Sequence, residues 1–204
     1  MSAPTGEQLA DYKQTVVTAF AGAVMAFFTT MLGIGITHLL DDDDELKYYY
    51  FAIGGSLILR MWVGSALHFA VEHGHPACRD LQRKWLKWDS IWLLAFGFCA
   101  TLMCYVPKPA PFLLFGALLT AASSLWSIFN WMVNRKSEVD AKWIWWLPID
   151  ILHLIIFIVI WRMTPAGGVN DSYPILLLGL SAFSLFALVG DFVVQFLALR
   201  TVLK

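Results

Sequence analysis

Apolar residues in this chain occur in long runs that are separated by short polar segments. A run of roughly 20 apolar residues is enough for a helix to cross the hydrocarbon core of a bilayer. Six segments meet or approach that length, and they predict an all-α, polytopic membrane bundle of six transmembrane helices that forms a single domain. The predicted helices cover residues 14–40, 48–72, 90–106, 110–133, 143–163 and 173–199. Because the connections are short, successive helices should be antiparallel neighbours.

The composition supports a membrane protein and argues against some functions. Hydrophobic residues make up 59% of the chain and charged residues 14%, whereas an average soluble domain has about 25% charged residues. The net charge of -1 provides no polycationic surface, so we expect no nucleic-acid partner. The N-terminal segment is polar and acidic and does not resemble a cleaved signal peptide. We therefore expect an integral, multi-pass membrane protein, with the lipid bilayer as its surroundings.

Lysine and arginine residues in the loops predict the orientation, because cytoplasmic loops of membrane proteins carry an excess of them. With the N-terminus inside, ten basic residues fall on the inner side, three on the outer side and Arg60 within the membrane, which accounts for all 14. The inner residues are Lys13, Arg79, Arg83, Lys84, Lys87, Arg135, Lys136, Lys142, Arg200 and Lys204. The outer residues are Lys47, Lys108 and Arg162. The bias predicts that both termini are cytoplasmic.

Four polar side chains fall inside the predicted helices, namely Arg60, Asp150, His153 and Asp191. A charge at this depth is costly and normally has a partner inside the protein. Asp150 and His153 are three residues apart and share one helix face. A structural interpretation pairs Arg60 with Asp150 or Asp191 and fixes the register of the bundle. A functional interpretation makes the four residues the lining of an ion or proton path, and the sequence leaves both open.

A second set of polar residues lies at the end of the second predicted helix. His68, Glu72 and His75 follow the spacing i, i+4, i+7 and share one face if the helix continues to His75. A His/Glu/His set can bind zinc or iron. The same residues also suit a polar helix end at the membrane surface. His68 together with His153 is a loose candidate for axial haem ligation, and otherwise the residues indicate no cofactor.

Three stretches carry a resemblance to a known family. They are AFAGAVMAFFTTMLGI (19–34), SLILRMWVGSALHF (56–69) and LKWDSIWLLAFGFCATLMCYVPKPAPF (86–112). With the six short-looped helices, they resemble the six-helix bacterial relatives of the lysosomal potassium channel, although Phe20-Ala21-Gly22 stands where that family has Phe-Ser-Asp. The resemblance implies a location in the bacterial inner membrane and a first helix that lines a tetrameric pore with apolar constrictions. It would place Met25, Phe28, Leu32 and Ile36 at the pore or gate.

These observations favour an oligomeric channel or permeation protein for an inorganic cation, assembled as a homo-oligomer. The acidic loop from Asp41 to Glu45 would raise the local cation concentration at the outer mouth, although it also suits a solvated turn. Two alternatives remain. One is a non-conducting membrane module that assembles with a partner subunit, and the other is a small metal- or haem-dependent membrane enzyme. The chain has no Walker motif and no nucleophile elbow, so an enzyme is not the favoured hypothesis.

Overall fold

A computed structural model of the chain describes residues 45–74, 91–103, 108–134, 146–164 and 171–202, together with part of 19–37. Among these residues the regular secondary structure is entirely helical. We call the described helical residues between 19 and 37 α1. The other helices are α2 (Lys47–Gly74), α3 (Ile91–Met103), α4 (Pro109–Asn134), α5 (Trp146–Met163) and α6 (Tyr173–Val202). Side chains in α2 to α6 are described except at 66–74, 133–134 and 195–202.

The helix bounds lie close to those that the apolar runs predict. The helices α2, α4 and α6 each extend slightly beyond the predicted segments, while α3 and α5 fall inside theirs. Three of the helices carry a proline in their first turn, namely Pro109, Pro148 and Pro174. A proline is tolerated there because the first backbone N–H groups of a helix have no acceptor within it.

Three of the described helical stretches are long and apolar enough to cross a membrane. They are Pro109–Met132, Trp146–Met163 and Tyr173–Val194. Large apolar side chains also point outward from these helices and their neighbours: Phe186 is 76% exposed and Ile175 is 72% exposed. Lipid tails solvate such a surface, whereas a soluble monomer rarely exposes one of this extent. The chain is therefore a membrane protein.

The helices α4 and α5 run antiparallel and pack along their length. Ser123 of α4 contacts Asp150 near the start of α5. Farther towards the start of α4, Gly116 packs against Phe157, which lies farther towards the end of α5. A Cβ atom at Gly116 would overlap the phenyl ring, so the missing side chain allows the two backbones to approach closely.

The helices α2, α4 and α6 run in one direction. Near the starts of α2 and α6 the hydroxyl oxygens of Tyr50 and Tyr173 lie 3.4 Å apart, and farther along both helices Arg60 meets Asp191. Tyr50 also packs its ring against Phe112 in the first turn of α4, with the ring centroids 4.6 Å apart. The three helix starts therefore lie at one end of the bundle, and the end of α5 lies with them.

The helices α1 and α3 also run parallel to each other. Phe27 packs against Gly97, and one turn farther along both helices the hydroxyl of Thr101 lies 2.7 Å from the sulfur of Met31. Thr101 also donates to the carbonyl of Gly97 at 2.6 Å, which satisfies its hydroxyl within α3. These contacts fix the relative direction of the two helices.

A core of buried apolar side chains joins α2, α4, α5 and α6 close to the starts of α2, α4 and α6. Its fully buried side chains include Ile53, Leu57, Leu113, Phe157 and Leu177. Apolar side chains surround each helix almost evenly, because the outward faces meet lipid while the inward faces meet this core. The core separates that end of the bundle from the polar side chains described next.

Candidate functional site

The four polar residues singled out from the sequence meet at one place in the bundle. Arg60 lies in the middle of α2, Asp150 and His153 lie on one face of α5, and Asp191 lies on α6. Each of the four is at most 2% exposed. We call these residues the polar cluster. Because they come from three helices, only the packed bundle brings them together.

Arg60 is the centre of the polar cluster. Its Nε donates a hydrogen bond to Oδ2 of Asp191, and its Nη2 donates to Oδ1 of Asp150 at 3.3 Å. The sequence left open which aspartate pairs with Arg60, and the structure pairs it with both. One guanidinium can do this because its five N–H donors form a planar fork. Arg60 thereby ties α2 to both α5 and α6.

Both oxygens of Asp150 have donors. While Arg60 occupies Oδ1, the hydroxyl of Ser123 on α4 donates to Oδ2 at 2.5 Å. Ser123 is one of three serines in the middle of α4, with Ser124 and Ser127. A serine in a membrane helix mostly bonds to its own backbone, so its contact with Asp150 becomes visible only when α4 packs on α5.

His153 is held by contacts on both ring nitrogens. Its Nδ1 lies 3.0 Å from the carbonyl oxygen of Ile149, and its Nε2 lies 3.2 Å from the hydroxyl of Ser184. A neutral imidazole has one N–H, so Nδ1 donates to Ile149 and Nε2 accepts from Ser184. Nη1 of Arg60, 3.4 Å from Nδ1, is then a neighbour rather than a donor. The ring of Phe183 covers the imidazole, with the centroids 4.4 Å apart.

Ser184 is the residue that sequence reasoning missed. It precedes Asp191 by two turns on the same face of α6, and this spacing is the only indication in the sequence that Ser184 belongs to the same site. Its hydroxyl is fully buried against His153. In this arrangement Nε2 of His153, the nitrogen left for ligation once Nδ1 donates to Ile149, bonds to Ser184.

The formal charge of the polar cluster depends on how many protons it holds. With a neutral imidazole and both carboxylates ionised it is -1, because Asp150 and Asp191 face the single positive charge of Arg60. Oδ1 of Asp191 is buried and has no hydrogen-bond partner within the part of the chain that is described. An uncompensated charge in a low-dielectric interior is strongly unfavourable. The cluster is therefore suited to take up one positive charge.

The other predicted positions lie partly or wholly outside the described structure. The proposed pore or gate residues Met25, Phe28, Leu32 and Ile36 are outside the described residues, as is His75. His68 and Glu72 belong to the last turns of α2, but their side chains are not among those described. In the described part of the chain, no three His, Cys, Asp or Glu side chains are grouped so that they could hold a metal ion.

Comparisons with protein families, with curated proteins and with solved structures find no match to this chain. The resemblance to the bacterial relatives of the lysosomal potassium channel therefore stays a prediction from the quoted residues.

Proposed function

We propose that the protein carries protons across the membrane, and that each proton passes through the polar cluster. One observation carries the proposal: two buried carboxylates share a single guanidinium, and Oδ1 of Asp191 is buried without a donor among the described groups. Ionisable groups inside a membrane commonly mark ion pathways and proton relays. Of the cations predicted from the sequence, the proton is the one that this arrangement favours.

A metal cation fits the polar cluster less well than a proton. Hard cations such as calcium need six to eight oxygen ligands, and magnesium needs six, several of which are commonly water. In the polar cluster Arg60 and Ser123 occupy both oxygens of Asp150, and Arg60 occupies one oxygen of Asp191. One carboxylate oxygen is left, which is enough for one proton.

The proposed topology is the six-helix bundle with both termini in the cytoplasm. The directions of the described helices support it. Six antiparallel crossings require α2, α4 and α6 to run one way and α5 to run the other, and their contacts follow that pattern. The same topology requires α1 and α3 to be parallel, as their contacts are. The predicted homo-oligomer belongs to the proposal, because the outward apolar side chains suit a second copy as well as lipid.

A flux assay on purified protein in liposomes tests the proposal. The vesicles contain a pH-sensitive dye, and a potassium gradient with an ionophore supplies the membrane potential. We expect the wild-type protein to acidify or alkalinise the lumen according to the sign of that potential. Asp191→Asn should reduce this flux to the level of protein-free liposomes, because an amide cannot take up and release the proton. Asp150→Asn should impair it as well.

The matched control is Asp171→Asn, which changes an exposed aspartate in the turn before α6. It should leave the flux unchanged. The proposal fails if wild-type protein moves no protons, or if Asp191→Asn conducts like wild type. Parallel measurements with potassium and sodium separate it from the channel hypothesis. Selective potassium flux without proton flux would favour the potassium-channel resemblance and a path along α1.

One observation favours a second function, the non-conducting membrane module. The contacts of Arg60 link α2 to α5 and α6, and Ser123 adds α4, so the polar cluster also fixes the positions of four helices. In that case no ion flux is seen with any gradient, and changes in the cluster alter only stability and assembly. Co-purification of a defined partner subunit would then identify the role.

A further inference from the structure

The polar cluster divides the bundle into two halves that differ in how their polar side chains are satisfied. We call the starting half the region between the cluster and the first residues of α2, α4 and α6. We call the ending half the region between the cluster and the last residues of α2 and α4. The division matters because a proton must reach the cluster from one side and leave it to the other.

The starting half contains hydroxyl groups that are satisfied within their own helices. Ser56 donates to the carbonyl of Ala52 at 2.5 Å, and Ser181 donates to that of Leu177 at 2.7 Å. Thr120 does the same, with the carbonyl of its own helix 3.0 Å away. Such hydroxyls have no need of water. The remaining interior of this half is packed with fully buried apolar side chains, among them Ile53, Leu57 and Leu113.

The ending half contains buried polar atoms that no described group satisfies. On α4 they are Oγ of Ser127 and Nδ2 of Asn130. The indole nitrogens of Trp62 on α2 and Trp92 on α3 are also buried without a described partner. Ser127 is fully buried, and its hydroxyl does not make the bond to its own helix that satisfies the hydroxyls in the starting half. Leaving a buried donor or acceptor unpaired costs roughly 1–3 kcal/mol, so Ser127 and Asn130, about one turn apart on the same face of α4, need another partner.

The two unsatisfied groups of α4 continue a row of polar side chains that begins with Ser123 at the polar cluster. We call this row the track. Ser123, Ser127 and Asn130 follow the spacing i, i+4, i+7 and share the buried face of α4. At 1.5 Å per residue, the track covers about 10 Å along the helix. Ser123, at the end of the track next to the polar cluster, donates to Asp150. The unpartnered oxygen of Asp191 lies in the same cluster. The track leads from there towards the end of α4.

We infer that the ending half is a water-filled half-channel that leads to the polar cluster, and that the starting half is closed by dry packing. Buried water normally bonds to polar groups that the protein leaves unsatisfied, and here Ser127 and Asn130 supply them at successive depths along α4. Its role as the access route for protons rests on the proposed function. The orientation predicted from the basic residues places this half on the cytoplasmic side.

The test measures water access directly and does not depend on flux. The natural cysteines are first replaced by alanine, namely Cys78, Cys99 and Cys104. Single cysteines are then introduced in each half, and the proteins are reconstituted in sealed vesicles of known orientation. A small, charged, membrane-impermeant thiol reagent is added to one side at a time. Only a thiol in contact with water forms the thiolate that reacts.

In the ending half, Ser127→Cys and Asn130→Cys should react from one side only. In the starting half, Ser56→Cys and Ser181→Cys serve as matched controls, and they should react at least about tenfold more slowly from either side because a dry thiol does not ionise. Two positions in each half guard against a single variant that fails to fold. Each protein is checked for a monodisperse profile before labelling.

Equal labelling in the two halves, or no labelling at Ser127→Cys and Asn130→Cys, would overturn the inference. Fast labelling of these two positions from both sides would overturn the closed starting half.

The result of the flux assay is separate from the labelling result. Loss of proton flux in Asp191→Asn with no labelling in the ending half would keep the proposed function and remove the half-channel. One-sided labelling without wild-type proton flux would keep the half-channel and remove the proposed function.

Discussion

Replacing Arg60 by methionine tests whether the polar cluster is an ion network that the bundle depends on. Methionine keeps an unbranched side chain but leaves two buried carboxylates without their common partner. At an effective dielectric constant of about 20, unit charges at the 3.3 Å distance between Arg60 and Asp150 attract by roughly 5 kcal/mol. The cost of burying the charges cancels part of this, and removing one member of a buried pair typically costs about 3–5 kcal/mol. We therefore expect Arg60→Met to lose about 3–5 kcal/mol of unfolding free energy.

The assay is reversible unfolding in mixed micelles, in which a denaturing detergent is titrated and both helicity and tryptophan fluorescence are followed. The matched control is Arg162→Met, because Arg162 is exposed at the end of α5 and lies 5.5 Å from the ring centre of Trp161. An exposed cation–π contact contributes about 0.5–1 kcal/mol, so this variant should lose no more than that.

A charge-neutral triple variant separates electrostatics from lost packing. Arg60→Met combined with Asp150→Asn and Asp191→Asn removes all three charges, and replacing a whole buried ion network is often neutral or stabilising. The triple variant should therefore recover most of the stability that Arg60→Met loses. Stability of Arg60→Met within about 0.5 kcal/mol of wild type, the range of ordinary surface changes, would refute the reasoning. A triple variant as unstable as the single variant would refute the electrostatic cause.

Two further predictions each compare a matched pair of substitutions. Ser123→Ala should lose about 1.5–3 kcal/mol, the contribution of a hydrogen bond to a charged group, whereas Ser124→Ala should lose less because that hydroxyl bonds only to its own helix at 2.9 Å. Gly116→Ala should destabilise the α4–α5 hairpin because a Cβ there overlaps a buried phenyl ring. Gly179→Ala, with open space around its position, should be neutral or gain up to about 1 kcal/mol from helix propensity. The same detergent titration measures all four, and equal losses within either pair would contradict the corresponding contacts.

Much of the fold could be predicted from the sequence, but less of the candidate site. The positions of α2, α4 and α6 follow the apolar runs to within a few residues, because the length of a spanning helix is fixed by the thickness of the bilayer. The sequence also identified Arg60 and the two aspartates as buried, because charges at mid-membrane depth are costly outside the protein interior. The contact between Ser184 and His153 could not be predicted, since serines on apolar helices usually bond to their own backbone.

The sequence by itself determined that this is a helical membrane protein and that one cation and two carboxylates lie deep inside it. Both conclusions need only the spacing of residues along the chain and the cost of moving side chains from water into lipid. Only the tertiary structure decided that Arg60 pairs with both Asp150 and Asp191, and that Ser123 bonds to Asp150 rather than to its own helix. Those contacts depend on how each helix is rotated about its axis, and helices that are apolar on all sides carry no pattern that fixes that rotation.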